Sequence, residues 1–339
     1  MGKKVKFRVR GFLPDLLSWF TLPKKRRAWI ESGNPELDTK DPIADLAKKL
    51  HPGLTEAEII EIRQESPSSR SFVLKPMQGQ TPPLHYAGQY MCVYLTIEGR
   101  TACRPYAISS APADSEKGII QFTLKKKDGG FVSEHLWNNV KVGDIIKYDA
   151  PLGELYYSAL RDASHVIGVA GGSGITVFRS IILDMPLSGR PQKLTLLYGS
   201  RTEDDIVFKE ELDALAAQSD NIEVIHILSE AGDAWQGERG FIGAELIKRL
   251  VPDYAEASFY VSGPAALYDF MEVELDKLGI SRTCRRMESY GESPDITAHP
   301  GFPKDQAGKT YQLTVRFGVD SRVVPAKSTE TVVQALDRA

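Results

Sequence analysis

The sequence predicts two domains of different classes, an antiparallel β-barrel followed by an α/β domain with a doubly wound parallel sheet. Between residues 58 and 150, short β-rich runs such as YMCVYLTI alternate with turn residues, a pattern typical of a barrel or sandwich. After residue 163, strand-like and helical segments alternate, which indicates a parallel sheet covered by helices. A chain of 339 residues has room for two or three such cores.

Hydrophobic periodicity and turn residues predict the elements of each domain in order. In the barrel we predict strands at EIIEIRQ, SFVLK, YMCVYLTI, RPYAISS, IIQFTLKKK and IIKYDA, and a helix at residues 131–138. In the α/β domain we predict strands at HVIGVAG, KLTLLYGS, IEVIHIL, SFYVSG and RTCRRMES. Helices are predicted between these strands at residues 176–185, 204–218, 243–250 and 264–278.

Both ends of the chain carry further segments. We place the boundaries at residues 1–54 for a basic extension, 55–160 for the barrel, 161–292 for the α/β domain, 293–309 for a linker and 310–339 for a third unit. The linker is rich in proline and glycine and lacks a hydrophobic period, as linkers do. The extension has helical signals at residues 41–50, and the third unit shows a β-hairpin followed by a helix.

The composition excludes several classes of protein. Hydrophobic residues make up 42% and charged residues 26% of the chain, close to the average for soluble globular proteins. No apolar run reaches the roughly 18 residues of a membrane-spanning helix, and the start lacks the features of a signal peptide, so we expect a cytoplasmic protein. The three cysteines and six histidines are scattered, so we expect no metal site. We also expect no nucleic acid partner.

The first 30 residues concentrate positive charge. They hold nine lysines and arginines against one acid, Asp15, although the net charge of the whole chain is only −3. Between the two basic clusters lies the apolar stretch GFLPDLLSWFTLP. Two interpretations are open: a solvated basic arm folded over a neighbouring domain, or peripheral contact of residues 1–30 with an anionic membrane surface or an acidic protein.

Glycines cluster where a buried strand gives way to a helix, in GVAGGSGITVFRSII at residues 168–182. At such a junction the unpaired amides and the helix dipole can hold a phosphate, and glycine lets the backbone approach it closely. The spacing departs from GxGxxG because Val177 stands where the third glycine would be. We therefore predict a nicotinamide nucleotide site of a non-Rossmann type, with a tight structural turn as the alternative.

The segment RPYAISS at residues 104–110 sets a cation beside an aromatic ring in a strand. A flavin needs its phosphates neutralised, one ring face covered and hydrogen bonds to its heteroatoms, and Arg104, Tyr106 and Ser109 offer these groups. Further along, GGFVS provides amides and Ser133 at a helix N-terminus, which suits phosphate. The alternative is a surface arginine paired with an acid, next to a core tyrosine.

Together these motifs resemble the ferredoxin-NADP reductase superfamily of flavoproteins, specifically the reductase components that feed electrons to oxygenases, over about residues 55–292. The resemblance implies cofactor-binding roles for Arg104, Tyr106, Ala107, Ser109, Gly130, Ser133, Gly171, Gly172, Gly174, Thr176, Gly263 and Pro264. It also implies that Tyr106, Glu288 and Tyr290 lie at the catalytic centre, and that the flavin is FAD rather than FMN.

Three residues depart from the pattern of that family. Ala107 stands where the family usually has a serine or threonine that hydrogen-bonds near flavin N5. Val177 replaces the proline that opens the helix after the nucleotide loop, and Ser262 replaces the cysteine of a Cys-Gly-Pro motif. Two of these three positions lie on the expected hydride path, so we expect slower or altered chemistry there.

The residues after the second strand of the α/β domain indicate which nucleotide is used. Ser200 and Arg201 are predicted to bind it, and a 2′-phosphate would need two or more basic groups there. The stretch YGSRTEDD supplies one cation, followed by Glu203, Asp204 and Asp205. We therefore predict that NADH is preferred over NADPH.

Residues 310–339 resemble the opening hairpin and helix of a plant-type ferredoxin domain, which many such reductases carry at the C-terminus. A [2Fe-2S] cluster needs four cysteines in a loop after that helix, so we expect the cluster only in a longer chain. The alternative is an unrelated hairpin and helix that cap the preceding domain.

The combined prediction is an NAD(P)H-dependent flavoprotein reductase of the ferredoxin reductase type. We expect it to pass electrons one at a time from the flavin to an iron-sulfur domain, and on to an electron-accepting protein such as an oxygenase component or a ferredoxin. Two alternatives stay open: a cluster-free flavin reductase or electron-transfer subunit, and a non-catalytic flavin-binding redox sensor.

Overall fold

The computed structural model describes residues 23–32, 41–288, 296–298, 301–317 and 320–338. Contacts divide the chain into two units, residues 1–46 and 47–339. In the first unit, residues 23–31 form helix α1. Helix α2 (Pro42–Leu50) contains the boundary between the units. It begins at Asp41, whose carboxylate accepts hydrogen bonds from the amides of Ile43 and Ala44 at 3.0 and 3.1 Å, an arrangement that stabilises a helix start.

Residues 55–152 form the predicted barrel. Its strands are β1 (Thr55–Ser66), β2 (Ser69–Pro76), β3 (Tyr90–Ile97), β4 (Arg100–Ala107), β5 (Ile120–Lys125) and β6 (Ile145–Leu152), with helices α3 (Pro112–Glu116) and α4 (Phe131–Asn138). The order β4-β3-β6-β1-β2-β5 is antiparallel throughout. A bridge between Ile108 and Phe122 joins the two outer strands, so the sheet closes on a core that includes the stacked rings of Phe72 and Phe122.

The α/β domain follows with a parallel sheet. Its strands are β7 (His165–Gly171), β8 (Lys193–Ser200), β9 (Ile222–Leu228), β10 (Glu238–Arg239), β11 (Ser258–Ser262) and β12 (Arg285–Met287). Its helices are α5 (Ile175–Ser188), α6 (Lys209–Ala217), α7 (Ala244–Leu250) and α8 (Ala265–Lys277). The order is β10-β9-β8-β7-β11-β12. The chain runs outward on one side of β7 and then returns to pair β11 on the other side, which makes β7 and β11 the switch point where such sheets bind ligands.

Three of the details that differ from the sequence prediction lie in the α/β domain. Helix α6 begins at Lys209 rather than residue 204, because residues 203–205 form a 3₁₀ turn and Phe208 adopts a left-handed backbone with φ of +62°. Strand β12 covers only Arg285–Met287, since a 3₁₀ turn occupies residues 282–284. The two-residue strand β10 was not predicted, because a run so short carries no periodicity.

The predicted C-terminal hairpin and helix are confirmed as β13 (Thr310–Phe317), β14 (Asp320–Lys327) and α9 (Val332–Arg338). The strands pair in antiparallel register, and Val324 and Ala335 are buried. Among the helices that the structure describes, none combines the length and the apolar character needed to cross a membrane.

Candidate functional site

A cavity of about 660 Å³ lies at the carboxyl ends of the central parallel strands. Gly171 and Gly172, at the end of β7, line it together with Ser200 and Arg201 from β8 and the loop after it, and with Pro264 after β11. The cavity therefore occupies the switch point of the sheet, the place where open α/β sheets bind nucleotides. Five of the predicted nucleotide-binding residues meet here.

The glycines of the loop have two different functions. Gly172 has φ of +53°, a left-handed conformation that glycine adopts without steric cost. Gly174 does not line the cavity: a Cβ on it would lie 1.9 Å from the carbonyl oxygen of Ser262, so glycine is needed to pack the start of α5 against β11. Thr176 is buried, and its hydroxyl donates to the Ser173 carbonyl at 2.9 Å, so it shapes the loop rather than the cavity wall.

The turn after β11 approaches the nucleotide loop closely. A Cβ on Gly263 would lie 2.7 Å from the side chain of Leu267 and 3.2 Å from the Cα of Gly171. The Gly263 amide donates to the hydroxyl of Tyr268 at 3.1 Å. Gly263 thus brings the two loops together, while Pro264 reaches the cavity itself.

Arg201, at the rim of the cavity, is already paired. Its guanidinium donates to the carboxylate of Glu230 at 3.3 Å through two nitrogens, and this hydrogen bonding raises the pKa of Arg201. Both side chains are exposed. The cation predicted to meet the nucleotide is therefore accompanied by an acid from the end of β9.

Lys125 is a cavity residue that the sequence analysis did not single out. It ends barrel strand β5, yet it lines the cavity of the α/β domain, and its Nζ lies 3.9 Å from where a Cβ on Gly172 would be. It forms an ion pair with Asp205, which also accepts a hydrogen bond from Ser68. Burial would raise the pKa of Asp205, but these two hydrogen bonds hold it below its usual value. The terminal acid of the run 203–205 therefore faces the barrel rather than the nucleotide, which corrects the expectation drawn from that run.

Arg104 and Tyr106 lie on one face of β4, because they are two residues apart in a strand. Arg104 is exposed and donates to the Cys103 carbonyl at 2.8 Å. Within the ranges that the structure describes, it forms no ion pair. The Tyr106 ring packs against Phe122 with 5.0 Å between centroids, and burial raises the pKa of Tyr106. The segment therefore presents an unneutralised cation beside a half-buried ring.

Ser109 does not face that surface. Its fully buried hydroxyl contacts the Thr123 hydroxyl at 2.9 Å and accepts from the Gln121 amide at 3.1 Å. Its own carbonyl accepts from Arg179. The predicted contact between Ser109 and a flavin is wrong, because the closing strand β5 and helix α5 already occupy its polar groups.

The GGFVS element forms the turn that precedes α4. The Ser133 hydroxyl donates to the Lys127 carbonyl at 3.1 Å, and a Cβ on Gly130 would lie 2.3 Å from that hydroxyl oxygen. Glu134 accepts from the Gly129 amide at 2.8 Å. Gly130 and Ser133 thus stabilise a tight turn at the N-terminus of α4.

Glu288 brings the end of the α/β domain onto the barrel. Its Oε1 would lie 2.7 Å from a Cβ on Gly153, whose φ is +90°, and it accepts from the Glu154 amide at 3.4 Å. It lies near Tyr90, whose pKa is raised by burial and then by the Glu288 charge. Tyr90 is the strand partner of Ala107. Glu288 is thus next to the flavin segment, whereas Tyr290 lies outside the described residues.

Glu288 is held in place from two sides. The Tyr268 hydroxyl donates to its carbonyl. Two residues earlier, Arg286 pairs at 2.7 Å with the buried carboxylate of Asp162, in the segment that connects the two sheets. Burial would raise the pKa of Asp162. Its pKa nevertheless lies below the usual value, chiefly because the Ser158 amide and the Arg161 side chain donate hydrogen bonds to the carboxylate.

Comparisons with protein families agree with this division of the chain. Residues 56–157 match the oxidoreductase FAD-binding domain, and residues 169–272 match the oxidoreductase NAD-binding domain. Over these ranges the chain therefore carries an FAD-binding and an NAD-binding oxidoreductase domain, as the resemblance to the ferredoxin-NADP reductase superfamily predicted. The FAD-binding match covers the barrel strands, and the NAD-binding match covers the glycine loop and the cavity.

Individual relatives include two kinds of reductase. NADH-cytochrome b5 reductase 1 of Aspergillus clavatus is 30% identical over 58% of this chain and 65% of its own length. The ferredoxin–NAD(P)+ reductase component of the naphthalene 1,2-dioxygenase/salicylate 5-hydroxylase systems of a Ralstonia species is 32% identical over 58% of each chain. The chain thus spans less than two thirds of the length of these curated relatives.

A crystal structure gives the same fold. The flavohem-like FAD/NAD binding domain of nitric oxide dioxygenase from Vibrio cholerae superimposes with a TM-score of 0.63 at 25% identity, covering 70% of this chain and 99% of that one.

The side chains of the two domains fit the groups that the matching domain families are named for. On the barrel, Arg104 is an exposed cation with a planar fork of donors that suits phosphate. In the α/β domain, Gly171 and Gly172 open the cavity to a nucleotide backbone, and Lys125 adds a cation next to the loop. The barrel and the α/β domain therefore share one wall of the nucleotide cavity.

Proposed function

We propose that the protein is an NAD(P)H-dependent flavoprotein reductase that releases electrons singly to a protein acceptor. The observation that carries this proposal is the contact of Glu288 with the barrel at Gly153 and Tyr90. It places the carboxyl edge of the nucleotide-binding sheet against the strand pair that contains Ala107. A nicotinamide and a flavin held by these two elements would be neighbours.

When bound, the reduced nicotinamide would supply a hydride, and the flavin would convert this two-electron reduction into one-electron release. The protein binds and orients. Arg104 neutralises flavin phosphate, Tyr106 covers the ring, and Gly130 and Ser133 form the turn at the pyrophosphate. Ala107 has no hydroxyl, so a polar contact near the reacting atoms must come from the backbone.

Glu288 lies in the proposed catalytic centre at the junction of the two domains, and we propose that Tyr290 acts with it. The carboxylate of Glu288 is held by the Glu154 amide, so its position is set by the backbone after β6. A fixed carboxylate can orient a nicotinamide and exclude water, which are contributions of position and electrostatics rather than of covalent chemistry.

NADH is the proposed electron donor in preference to NADPH. The pairing of Arg201 with Glu230 supports this preference, because a 2′-phosphate near Arg201 would meet the negative charge of Glu230. Ser200, also at the rim, can bind a ribose hydroxyl without charge repulsion.

The proposed acceptor is an oxygenase component or a ferredoxin, reached through an iron-sulfur domain. The likeness to the reductase component of a dioxygenase system supports this choice. The hairpin β13–β14 with α9 would be the opening of such a ferredoxin domain. A cluster-free reductase is the second candidate, and the likeness to NADH-cytochrome b5 reductases favours it.

Residues 1–30 are the proposed docking segment for the acceptor or for an anionic membrane surface. In its described part, helix α1 exposes Lys24, Lys25, Arg26 and Arg27, and Trp29 is 80% exposed. Deleting residues 1–30 should slow acceptor reduction at low salt and have little effect at high salt. Rates that do not depend on the deletion or on salt would exclude this docking role.

The proposed reductase function is tested by an anaerobic visible spectrum of the purified protein, followed by NADH and, separately, NADPH. We expect a flavin spectrum that NADH bleaches faster than NADPH. A protein that retains FAD but is bleached by neither nucleotide would be a flavin-binding sensor, and one that takes up no FAD would refute the proposal.

A further inference from the structure

Helix α5 connects the nucleotide loop to the flavin segment. Ser180 donates from its hydroxyl to the Ser110 carbonyl at 2.7 Å, and Arg179 donates from Nη1 to the Ser109 carbonyl at 2.5 Å. All four residues are buried. Ser109 and Ser110 follow Arg104–Ala107 in the barrel after one residue, Ile108, so the α/β domain contacts the backbone at the end of the flavin segment.

Contacts within the α/β domain fix the orientation of the Arg179 side chain. Nε and Nη2 donate to the two carboxylate oxygens of Glu211 at 2.6 and 2.7 Å. The guanidinium lies 4.8 Å above the Phe208 ring centroid. Since a guanidinium is a planar fork, a bidentate pair on one edge determines the direction of the remaining N–H groups. Nη1 is therefore aimed at the Ser109 carbonyl in advance.

The backbone next to this arginine is strained. Phe208 has φ of +62°, a left-handed conformation that is unfavourable for a non-glycine residue. Phe208 is nevertheless 5% exposed and packed in the core of the domain. The strain is retained where the ring supports Arg179 and where α6 begins, two residues before Glu211.

The geometry joins the two proposed cofactor sites through the first turns of helix α5. The helix begins directly after the nucleotide loop Gly172–Gly174, and Arg179 is five residues beyond Gly174, about 7.5 Å along a helix that rises 1.5 Å per residue. A shift of Ser109–Ser110 relative to α5 would therefore change the separation between the nucleotide loop and β4.

We propose that Arg179 and Ser180 are positioning residues that set the distance between the bound nicotinamide and the flavin. The inference rests on the proposed reductase function. Neither side chain lines the cavity, so neither binds a cofactor directly. A small misplacement of reacting groups can lower a rate up to about 100-fold, so the contacts should affect hydride transfer more than cofactor affinity.

The test compares Ser180→Ala with Ser258→Ala. Both serines are buried in the α/β domain, at 0% and 2% exposure. Each hydroxyl makes one hydrogen bond to a backbone group, but Ser258 accepts from Ala163 at 2.9 Å, remote from the barrel contact. Arg179→Met is a second variant that removes the other contact.

For each protein we would measure FAD content, ADP-ribose affinity by calorimetry, and the limiting rate of flavin bleaching at saturating NADH. Hydrogen exchange of residues 105–112, measured without nucleotide, reports the contact independently of activity. We expect Ser180→Ala to lower the limiting rate at least about fivefold and to speed exchange in residues 105–112. FAD content and ADP-ribose affinity should stay as in wild type, and Ser258→Ala should leave the rate and this exchange unchanged.

Two failures are distinguishable. A wild-type protein that is bleached by NADH, together with an equally fast Ser180→Ala protein and unchanged exchange, overturns the positioning role and leaves the reductase function intact. A wild-type protein that neither NADH nor NADPH bleaches overturns the reductase function, and the positioning role with it.

Discussion

Arg104 begins the barrel segment RPYAISS, and Arg179 of the α/β domain contacts the end of the same segment. The surroundings of the two arginines differ completely. Arg104 is exposed, and among the described residues its guanidinium is bonded only to the neighbouring Cys103 carbonyl. Arg179 is 7% exposed, with its guanidinium bound by Glu211 and the Ser109 carbonyl. A cation without a fixed partner is available to a ligand, whereas one with buried partners belongs to the structure. The segment RPYAISS therefore combines two functions, ligand binding at its start and domain contact at its end.

The largest expected effect is on FAD affinity. Arg104→Ala should weaken FAD binding about 100-fold, because a charge-assisted contact with phosphate contributes roughly 1.5–3 kcal/mol. Arg100→Ala is the control: Arg100 is also exposed and on β4, and its removal should leave the affinity unchanged. Fluorescence titration of the apoprotein with FAD measures both. Equal losses in the two variants would show a general charge effect instead.

For the free energy of unfolding, the same comparison predicts a larger effect at Arg179 than at Arg104. Arg179→Met should lower the free energy of unfolding by about 2 kcal/mol, below the usual cost of breaking a buried pair because the Glu211 side chain is 36% exposed. Arg104→Ala should change the free energy of unfolding by less than about 0.5 kcal/mol. Urea unfolding of the apoproteins checks this. An Arg179→Met protein with the wild-type free energy of unfolding would show that the contacts of Arg179 make no net contribution to stability.

His85 shows how burial changes the pKa of a histidine whose ring nitrogen contacts a hydroxyl rather than a carboxylate. Burial lowers its pKa to about 4 from 6.5, and Nδ1 contacts the Ser115 hydroxyl. Between pH 7.5 and 5 the unfolded chain gains a proton that the folded chain does not, so the free energy of unfolding should fall by about 2 kcal/mol as the pH drops.

Replacing the histidine tests this pH dependence. His85→Gln should remove about 2 kcal/mol of the pH-dependent loss, while His51→Gln, at an exposed position, should keep it. Urea unfolding at the two pH values gives the difference. Identical pH profiles for wild type and His85→Gln would show that His85 does not titrate in this way.

The smallest expected effect concerns nucleotide choice. Glu230→Gln leaves Arg201 without its acid and should improve the efficiency of NADPH relative to NADH about threefold, because an exposed pair contributes less than about 1 kcal/mol. Glu245→Gln, which removes an acid paired with Lys248 on α7, is the control. Steady-state kinetics with both nucleotides measures the ratio, and an unchanged ratio would remove Glu230 from the argument.

Much of the fold was predictable because its signals are local. Strands β7, β8 and β9 were predicted with their observed bounds, since strands between helices in a parallel sheet are rich in apolar residues and contrast with the helical segments around them. Helix α4 was predicted from the two glycines that precede it. The start of α6 could not be predicted, because an aromatic residue with positive φ has no sequence signal and depends on packing around Phe208.

The parts of the candidate site that local backbone geometry determines were predictable. The parts that depend on contacts with residues distant in the sequence were not. The glycines at 171 and 172 follow from the strand-to-helix junction, which is a local pattern. Lys125 and Ser109 depend on which distant residue lies opposite: Asp205 is 80 residues away for one and Arg179 is 70 away for the other. No spacing in the sequence contains that information, so one residue was missed and the other was given the wrong contact.

The seam that closes the barrel lies within the flavin segment. Ile108 bridges to Phe122, and the adjacent Ser109 amide donates to the Gln121 carbonyl at 2.8 Å, so the first and last strands of the sheet meet one residue after Ala107. A ligand held across this seam would favour the closed barrel by mass action, by about 2.7 kcal/mol at a free concentration 100 times its dissociation constant. The amount of folded protein in a cell should therefore depend on the supply of flavin. A shortage of flavin would lower the amount of folded protein as well as the activity of each molecule.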